Sequence, residues 1–303
     1  MAGPGNTPVR QWLPLSLIFL AVGLATAMAF PFMTLFLSTA VGATPIQMAV
    51  FLVASPLSAV LVSSRLGKLS DRRRIRRRLL ITAGVAGCIA FVVTAFVRNY
   101  GVLLALTLSV TAVAGTMLPQ SFAYARAVLG DSDRAALTIS RLRTLFSIAW
   151  VAGPPLASVL LDVGGFRAVY GMAATMYALA GLVAWRMLDS RGDARPPAPE
   201  ATTEHRPTPV KSRASLRVLW AAIVAFALLQ AAGNVGVQAL PLLIGHNLGG
   251  QARSAGLILG LCAALEIPLM LGLGMLSTRM PVYRLLLAGS ACALAYAVLA
   301  TAA

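Results

Sequence analysis

The sequence predicts an all-α membrane protein whose spanning helices divide into a group of six and a group of three. Three observations lead there: the apolar composition, apolar runs of spanning length, and a bias of cationic residues to alternate loops. Of 303 residues, 58% are hydrophobic and 11% are charged, and the mean hydropathy is +0.82. A soluble domain of this length cannot hide so much apolar surface.

Apolar runs of about twenty residues recur along the chain, each long enough to cross a hydrocarbon core of about 30 Å. They predict spans at about 13–37, 47–66, 79–97, 101–124, 136–161, 167–186, 218–243, 254–276 and 284–303. Prolines within these runs predict kinks, because neighbouring helices can satisfy the freed backbone groups. The first run lacks a small-residue cleavage site, so we interpret it as an uncleaved membrane helix.

The cationic residues set the predicted orientation. With the N-terminus in the cytoplasm, twenty of the 25 Lys and Arg residues fall on cytoplasmic segments. Only Arg98, Arg167 and Arg253 fall outside, and Arg141 and Arg143 lie in the first turns of the fifth span. This distribution follows the positive-inside rule. It accounts for the net charge of +16, so no nucleic-acid partner is expected.

The segment from about Asp189 to Ser215 is rich in Pro, Ala, Thr and charges of both signs, which is typical of a linker. We therefore divide the chain into a six-helix N-terminal bundle (1–188), a cytoplasmic linker (189–217) and a partial C-terminal bundle of three helices (218–303). An internal repeat supports the division, since GKLSDR at 67–72 matches GMLSTR at 274–279. A second half of six spans would need about ninety further residues, so we expect a truncated product or a fragment.

Three motifs carry a resemblance to a known family. GKLSDRRRIRRR at 67–78, between the second and third spans, is similar to the loop signature of the major facilitator superfamily. AWVAGPPLA at 149–157 and EIPLM at 266–270 resemble the bacterial sugar efflux transporters within that superfamily. The resemblance covers all nine spans.

The resemblance implies the major facilitator fold in a multi-pass protein of the bacterial inner membrane, beside membrane lipid. It implies export of sugars or glycosides by proton antiport through alternating access. Nucleotide-binding and metalloprotease motifs are absent from the sequence, so we expect no enzyme, no cofactor and no metal site. We expect a monomer.

Glu266 is the one acidic residue in a predicted membrane core, because the other eight lie in predicted loops. An ionised carboxylate there costs about 2.5–3.5 kcal/mol. The group must be protonated, paired or facing a wet cavity, and burial raises a carboxyl group's affinity for protons. We predict a proton-coupling site. The alternative is a protonated Glu266 that hydrogen-bonds a neighbouring helix near Pro268.

Three amides of the seventh span, Gln230, Asn234 and Gln238, are spaced i, i+4, i+8 and share one helix face. Amides offer donors and an acceptor, which can recognise sugar hydroxyls without a net charge. We predict that they bind substrate. The alternative is hydrogen bonding between packed helices.

Three further residues are candidates for substrate binding. Gln120 and Tyr124 form an i, i+4 pair in the fourth span, and binding and packing stay equally open for them. Trp150 in the fifth span could stack on a sugar ring or could serve only to fill the core.

The loop motif and two arginines of the fifth span are candidates for gating. We expect Gly67 to allow a tight turn. Asp71 and Arg72 would make a charge contact between the halves, and Arg279 is the counterpart of Arg72 in the repeat.

Arg141 and Arg143 would form a cytoplasmic-side gate or a partner for Glu266. Alternatively, their long stems carry the charges out to the membrane surface.

Two other functions stay open at this point. One is a multidrug exporter of the same superfamily, whose cavity should be apolar and aromatic. The other is a truncated paralogue that does not transport.

Overall fold

The computed structural model describes residues 8–73, 75–129, 133–188, 216–246, 252–276 and 280–302, and the elements in these ranges are all helical. The helices are α1 (Pro8–Ala29), α2 (Met33–Phe36), α3 (Pro45–Arg73), α4 (Arg76–Phe96), α5 (Tyr100–Leu106), α6 (Ala112–Ala114), α7 (Met117–Leu129), α8 (Asp133–Met187), α9 (Leu216–His246), α10 (Ala252–Leu276) and α11 (Val282–Ala302), with π-helical turns at Leu37–Val41 and Thr107–Thr111. Most of the predicted linker, residues 189–215, lies outside the described residues.

The described helices account for the predicted spans with some differences. By length and composition, six of them can cross a membrane, or seven if the bent pair 13–29 and 33–41 forms one span. The predicted fifth and sixth spans fall in one apolar stretch, Leu137–Met187. The predicted ninth span, 284–303, corresponds to α11, Val282–Ala302.

Gly165 divides α8 into two spans. Its φ of 62° and ψ of −159° are not helical, and glycine adopts such a positive φ without steric cost. Ala157 and Val169 lie on either side, and a straight helix would separate them by roughly 18 Å. Both instead belong to one buried cluster with Met28 and Phe32, so the chain reverses direction at Gly165. We call residues 133–164 the first arm of α8 and residues 166–187 its second arm.

Small residues bring the helix backbones into contact. Ala27 packs directly against Gly153, which seats α1 on the first arm of α8. A β-carbon at Gly84 would lie 2.5 Å from the Cα atom of Gly181, so α4 and the second arm touch backbone to backbone. Close approach through small residues is the usual way in which membrane helices associate.

The bundle has two ends. We call the end that carries residues 67–78 the motif end, and the end that carries Arg98 and Gly165 the Arg98 end. Helix α4 runs from the first to the second.

Helices α9 and α10 contact the N-terminal helices α2 and α8 near the Arg98 end. Ile244 of α9 and Ala255 of α10 join the buried cluster of Met28 and Phe32. From this cluster, α9 extends toward the motif end, and its side chains from 223 to 228 are exposed. The described halves are therefore closed against each other at the Arg98 end.

Candidate functional site

A cavity of about 280 Å³ lies between the first arm of α8 and α10. It is lined by Phe146, Ser147, Trp150, Ala263, Glu266, Ile267 and Met270. The first three belong to the N-terminal bundle and the other four to the C-terminal helices. A movement of one half relative to the other must therefore change the shape of the cavity.

Glycines and prolines position the two walls. A β-carbon at Gly260 would lie 2.5 Å from Cγ of Pro155, and one at Gly256 would lie 2.5 Å from the carbonyl oxygen of Pro154. The helices therefore touch on the Arg98 side of the cavity. Toward the motif end, Ala263, Ile267 and Met270 continue the same face of α10 with larger side chains, and the walls separate.

Glu266 lies in the wall of this cavity. Of the three arrangements expected for an acid in a membrane helix, the structure shows the one in which the carboxyl group faces a cavity. The Glu266 side chain is exposed, and it makes no hydrogen bond or ion pair with any residue that the structure describes. A charged carboxylate in a membrane needs water or a partner, and the cavity beside Glu266 is large enough to admit water.

Trp150 faces Glu266's helix from the opposite wall. Its ring meets Phe30 at 6.2 Å and Phe146 at 6.3 Å between centroids, so part of its surface fills the core. Its indole Nε1 atom is buried and has no hydrogen-bond partner among the described residues. Since a buried donor without a partner costs about 1–3 kcal/mol, a ligand that supplies an acceptor would recover that energy.

The three amides of the seventh span do not share one environment. Gln238 is 7% exposed, whereas Gln230 and Asn234 are exposed, and none of the three lines the cavity. The reason is that α9 packs on α2 and α10 near the Arg98 end, where Gln238 lies. Their role in binding stays a prediction.

Gln120 and Tyr124 lie inside the N-terminal bundle, away from the cavity. The Ser70 hydroxyl donates a hydrogen bond of 3.0 Å to Oε1 of Gln120, and both side chains are buried. Tyr124 is 4% exposed. The bond ties α3 to α7, and Ser70, which lies in the loop motif itself, was not among the predicted site residues.

The loop motif differs from the expectation in two respects. Gly67 lies inside α3, so the expected tight turn at Gly67 is wrong. Nη2 of Arg76 donates to Oδ1 of Asp71 at 3.0 Å, so the described ion pair of Asp71 lies within the N-terminal half and not between the halves. Asp71 and Arg72 are successive helical residues that point in different directions, whereas Arg76 returns from the start of α4. Arg279 lies outside the described residues.

Arg141 and Arg143 are exposed on the first arm of α8, and neither lines the cavity. The guanidinium carbon of Arg143 is 5.8 Å from the ring centroid of Phe122 in α7. Arg143 thus contacts its own bundle and not Glu266. As for metals, the described part of the chain holds no group of three or more His, Cys, Asp or Glu residues that could bind an ion.

Comparison with known proteins agrees with the architecture. The family model described as Major Facilitator Superfamily matches residues 15–303. A protein of Deinococcus radiodurans named as a sugar efflux transporter is 39% identical over 279 residues, which are 89% of this chain and 69% of the relative. Sugar efflux transporter A of Dickeya chrysanthemi is 34% identical over 85% of this chain, and sugar efflux transporter C of Escherichia coli K12 is 32% identical over 84%.

The chain spans about two thirds of the length of these curated relatives, 69% of the first and 64% of the other two. The match of the family model includes both walls of the cavity, the first arm of α8 and α10. The chain belongs to the sugar efflux transporters of the major facilitator superfamily.

Proposed function

We propose that this protein exports sugars or glycosides from the cytoplasm in exchange for protons, through alternating access in the bacterial inner membrane. The proposed orientation places the N-terminus and the motif end in the cytoplasm. The observation that carries the proposal is the cavity between the two halves, which Glu266 and Trp150 line together. The substrate class follows the names of the relatives.

The cavity offers the contacts that a sugar needs. The flat ring of Trp150 can stack on the apolar face of a pyranose. The indole N–H and the Ser147 hydroxyl provide donors, and the Glu266 carboxylate accepts hydrogen bonds from sugar hydroxyls. A volume of about 280 Å³ is at the small end for ligand pockets and suits a small carbohydrate.

Glu266 would couple sugar to proton by competition. As a carboxylate it accepts hydrogen bonds from the sugar, and as a neutral acid it loses part of that capacity. Protonation therefore weakens sugar binding, and by linkage bound sugar lowers the affinity for protons to the same extent. Antiport follows when the halves move with either sugar or proton bound.

The closed Arg98 end supports alternating access. Contacts of Gly256 and Gly260 with the prolines of α8 seal the halves on that side of the cavity. Gln230 and Asn234 are exposed toward the motif end, where we propose that they line the route from the cytoplasm.

Transport by membrane vesicles tests the proposal. Everted vesicles that contain the protein should accumulate labelled lactose when a proton gradient is imposed, and a protonophore should abolish the accumulation. Vesicles without the protein give the background. Uptake of an apolar aromatic cation in place of lactose would favour the multidrug exporter, for which Phe146, Ile267 and Met270 supply an apolar wall.

Replacing Trp150 with alanine is expected to raise the KM for lactose about tenfold, because the stacking surface and the indole donor are both lost. Trp185→Ala is the matched control, since Trp185 is 52% exposed on the second arm and stacks on Arg186. Initial rates in the same vesicles measure both variants. Equal KM values for the two variants would remove Trp150 from the binding site.

Replacing Asp71 with asparagine is expected to slow transport several-fold and leave the affinity for sugar nearly unchanged. The variant loses the ion pair with Arg76, which joins the ends of α3 and α4 far from the cavity. Lys68→Gln provides a control on the same helix, because Lys68 is exposed and belongs to no predicted site. Turnover and equilibrium binding of labelled lactose, measured on one preparation, separate an effect on transport rate from an effect on sugar affinity. Weakened binding with normal turnover would contradict the prediction.

A further inference from the structure

The end of α4 marks one edge of the membrane. Helix α4 has 21 residues, Arg76–Phe96, and is therefore about 31 Å long, close to the thickness of a hydrocarbon core. The Phe96 side chain is 66% exposed at its last position. Residues that directly follow Phe96 consequently lie at the depth of the lipid headgroups.

Two arginines meet at this corner of the bundle. The guanidinium of Arg98 lies over the Phe36 ring, 5.0 Å from its centroid, and donates hydrogen bonds of 2.9–3.0 Å to three carbonyl oxygens at the end of α4. The guanidinium of Arg167, in the second arm of α8, lies 5.8 Å from the centroid of Phe96. The rings fix the positions of both cations.

Neither arginine forms an ion pair with a described carboxylate, although Asp162 lies at the same end, five residues before Arg167. The ion pair recorded among the described residues is Arg76–Asp71, at the opposite end of α4. Burial and the nearby charge of Arg167 both lower the pKa of Arg98 below its ordinary value. The carbonyls at the end of α4 offset part of the Arg98 charge. Arg167 donates no hydrogen bond to any described residue, so its five N–H groups are available.

We propose that Arg98 and Arg167 bind the phosphate group of an anionic phospholipid at the Arg98 end. Guanidinium groups recognise phosphate oxygens by paired hydrogen bonds, and basic pockets between membrane helices bind acidic headgroups. The exposed Phe96 ring packs beside the first part of an acyl chain. A zwitterionic headgroup is disfavoured, because its ammonium group would approach two cations.

This site is independent of the proposed transport activity. A phosphate held by both arginines links the end of α4 to the start of the second arm of α8. The lipid therefore stabilises the corner where α2, the end of α4 and the second arm of α8 meet.

Hydrogen–deuterium exchange on the full chain in nanodiscs tests the proposal locally. Peptides covering 96–102 and 162–168 are compared between phosphatidylglycerol and phosphatidylcholine nanodiscs. We expect about fivefold slower exchange in phosphatidylglycerol for the wild-type chain, and loss of this difference in Arg167→Gln. Unchanged exchange in peptides from α1 shows that the variant is folded.

Two controls make the outcome decisive. Arg253→Gln removes an exposed cation at the start of α10 and should keep the slower exchange in phosphatidylglycerol. Equal loss of this difference in Arg253→Gln and Arg167→Gln would mean that general surface charge causes it, and would overturn the site. Phosphatidylcholine nanodiscs with added inorganic phosphate form the second control. Full protection by inorganic phosphate would show a soluble-anion site and overturn the lipid assignment, as would equal exchange in the two lipids.

Discussion

Replacing Glu266 with glutamine is expected to reduce proton-driven accumulation of lactose to the background of vesicles without the protein. Glutamine has nearly the same size and can still hydrogen-bond a sugar hydroxyl, but it cannot take up or release a proton. Sugar exchange at equilibrium should continue, because it needs binding and movement of the halves but no net proton transfer. Gradient-driven uptake and exchange of labelled for unlabelled lactose are measured in the same vesicles.

Asp162→Asn is the matched control for this prediction. Asp162 is an exposed acid of the first arm of α8 near the Arg98 end, outside the cavity, and its replacement should leave both measurements unchanged. If Glu266→Gln retains gradient-driven accumulation, Glu266 is not the coupling site. If Glu266→Gln loses equilibrium exchange together with gradient-driven accumulation, Glu266 is assigned to sugar binding alone.

The second large effect is expected from a substitution at the contact between α10 and α8, and it concerns the balance between the two conformations of the transporter. A β-carbon at Gly260 would lie 2.5 Å from Cγ of Pro155 and 2.9 Å from the carbonyl oxygen of Val151, and neither atom belongs to a flexible side chain. Overpacking of this kind costs about 1–3 kcal/mol. Gly260→Val should therefore open the Arg98 end and change the balance of the two conformations by about tenfold or more.

Labelling of a single introduced cysteine measures this opening. Val169 is fully buried in the cluster that joins the halves, so V169C, with the native cysteines replaced by alanine, should react slowly with a soluble maleimide. Gly260→Val should raise the labelling rate about tenfold and slow transport. Gly272→Val is the control on the same helix, since nothing lies within 4 Å of a β-carbon there. Equal labelling in the two variants would show that the glycine contact does not close this end.

Several elements of the fold were predictable from the sequence because lipid imposes a length on every span. The apolar runs at 136–161 and 167–186 left a short gap, and the structure reverses direction inside it, at Gly165. A non-helical glycine between two spans is visible as a break in hydropathy. The predicted ninth span, 284–303, likewise corresponds to one helix, α11 (Val282–Ala302).

The loop motif was the least predictable part. Glycine and a run of charges resemble a turn, yet α3 continues through Gly67 to Arg73. The reason is that α3 is a 29-residue helix that extends beyond its apolar part, and hydropathy reports only the apolar part. The Asp71–Arg76 pair depends on the angle at which α4 begins, and local spacing does not contain that angle.

The sequence by itself determined that Glu266 is a lone acid in a membrane helix, since composition and hydropathy suffice for that statement. The tertiary structure alone decided that Trp150 shares its cavity, that Gln120 is bonded to Ser70, and that the cavity excludes the three amides of α9. Neighbours on different helices depend on how each helix is rotated about its axis. In this protein that rotation is set by contacts such as Gly260 with Pro155, which no periodicity along one helix can reveal.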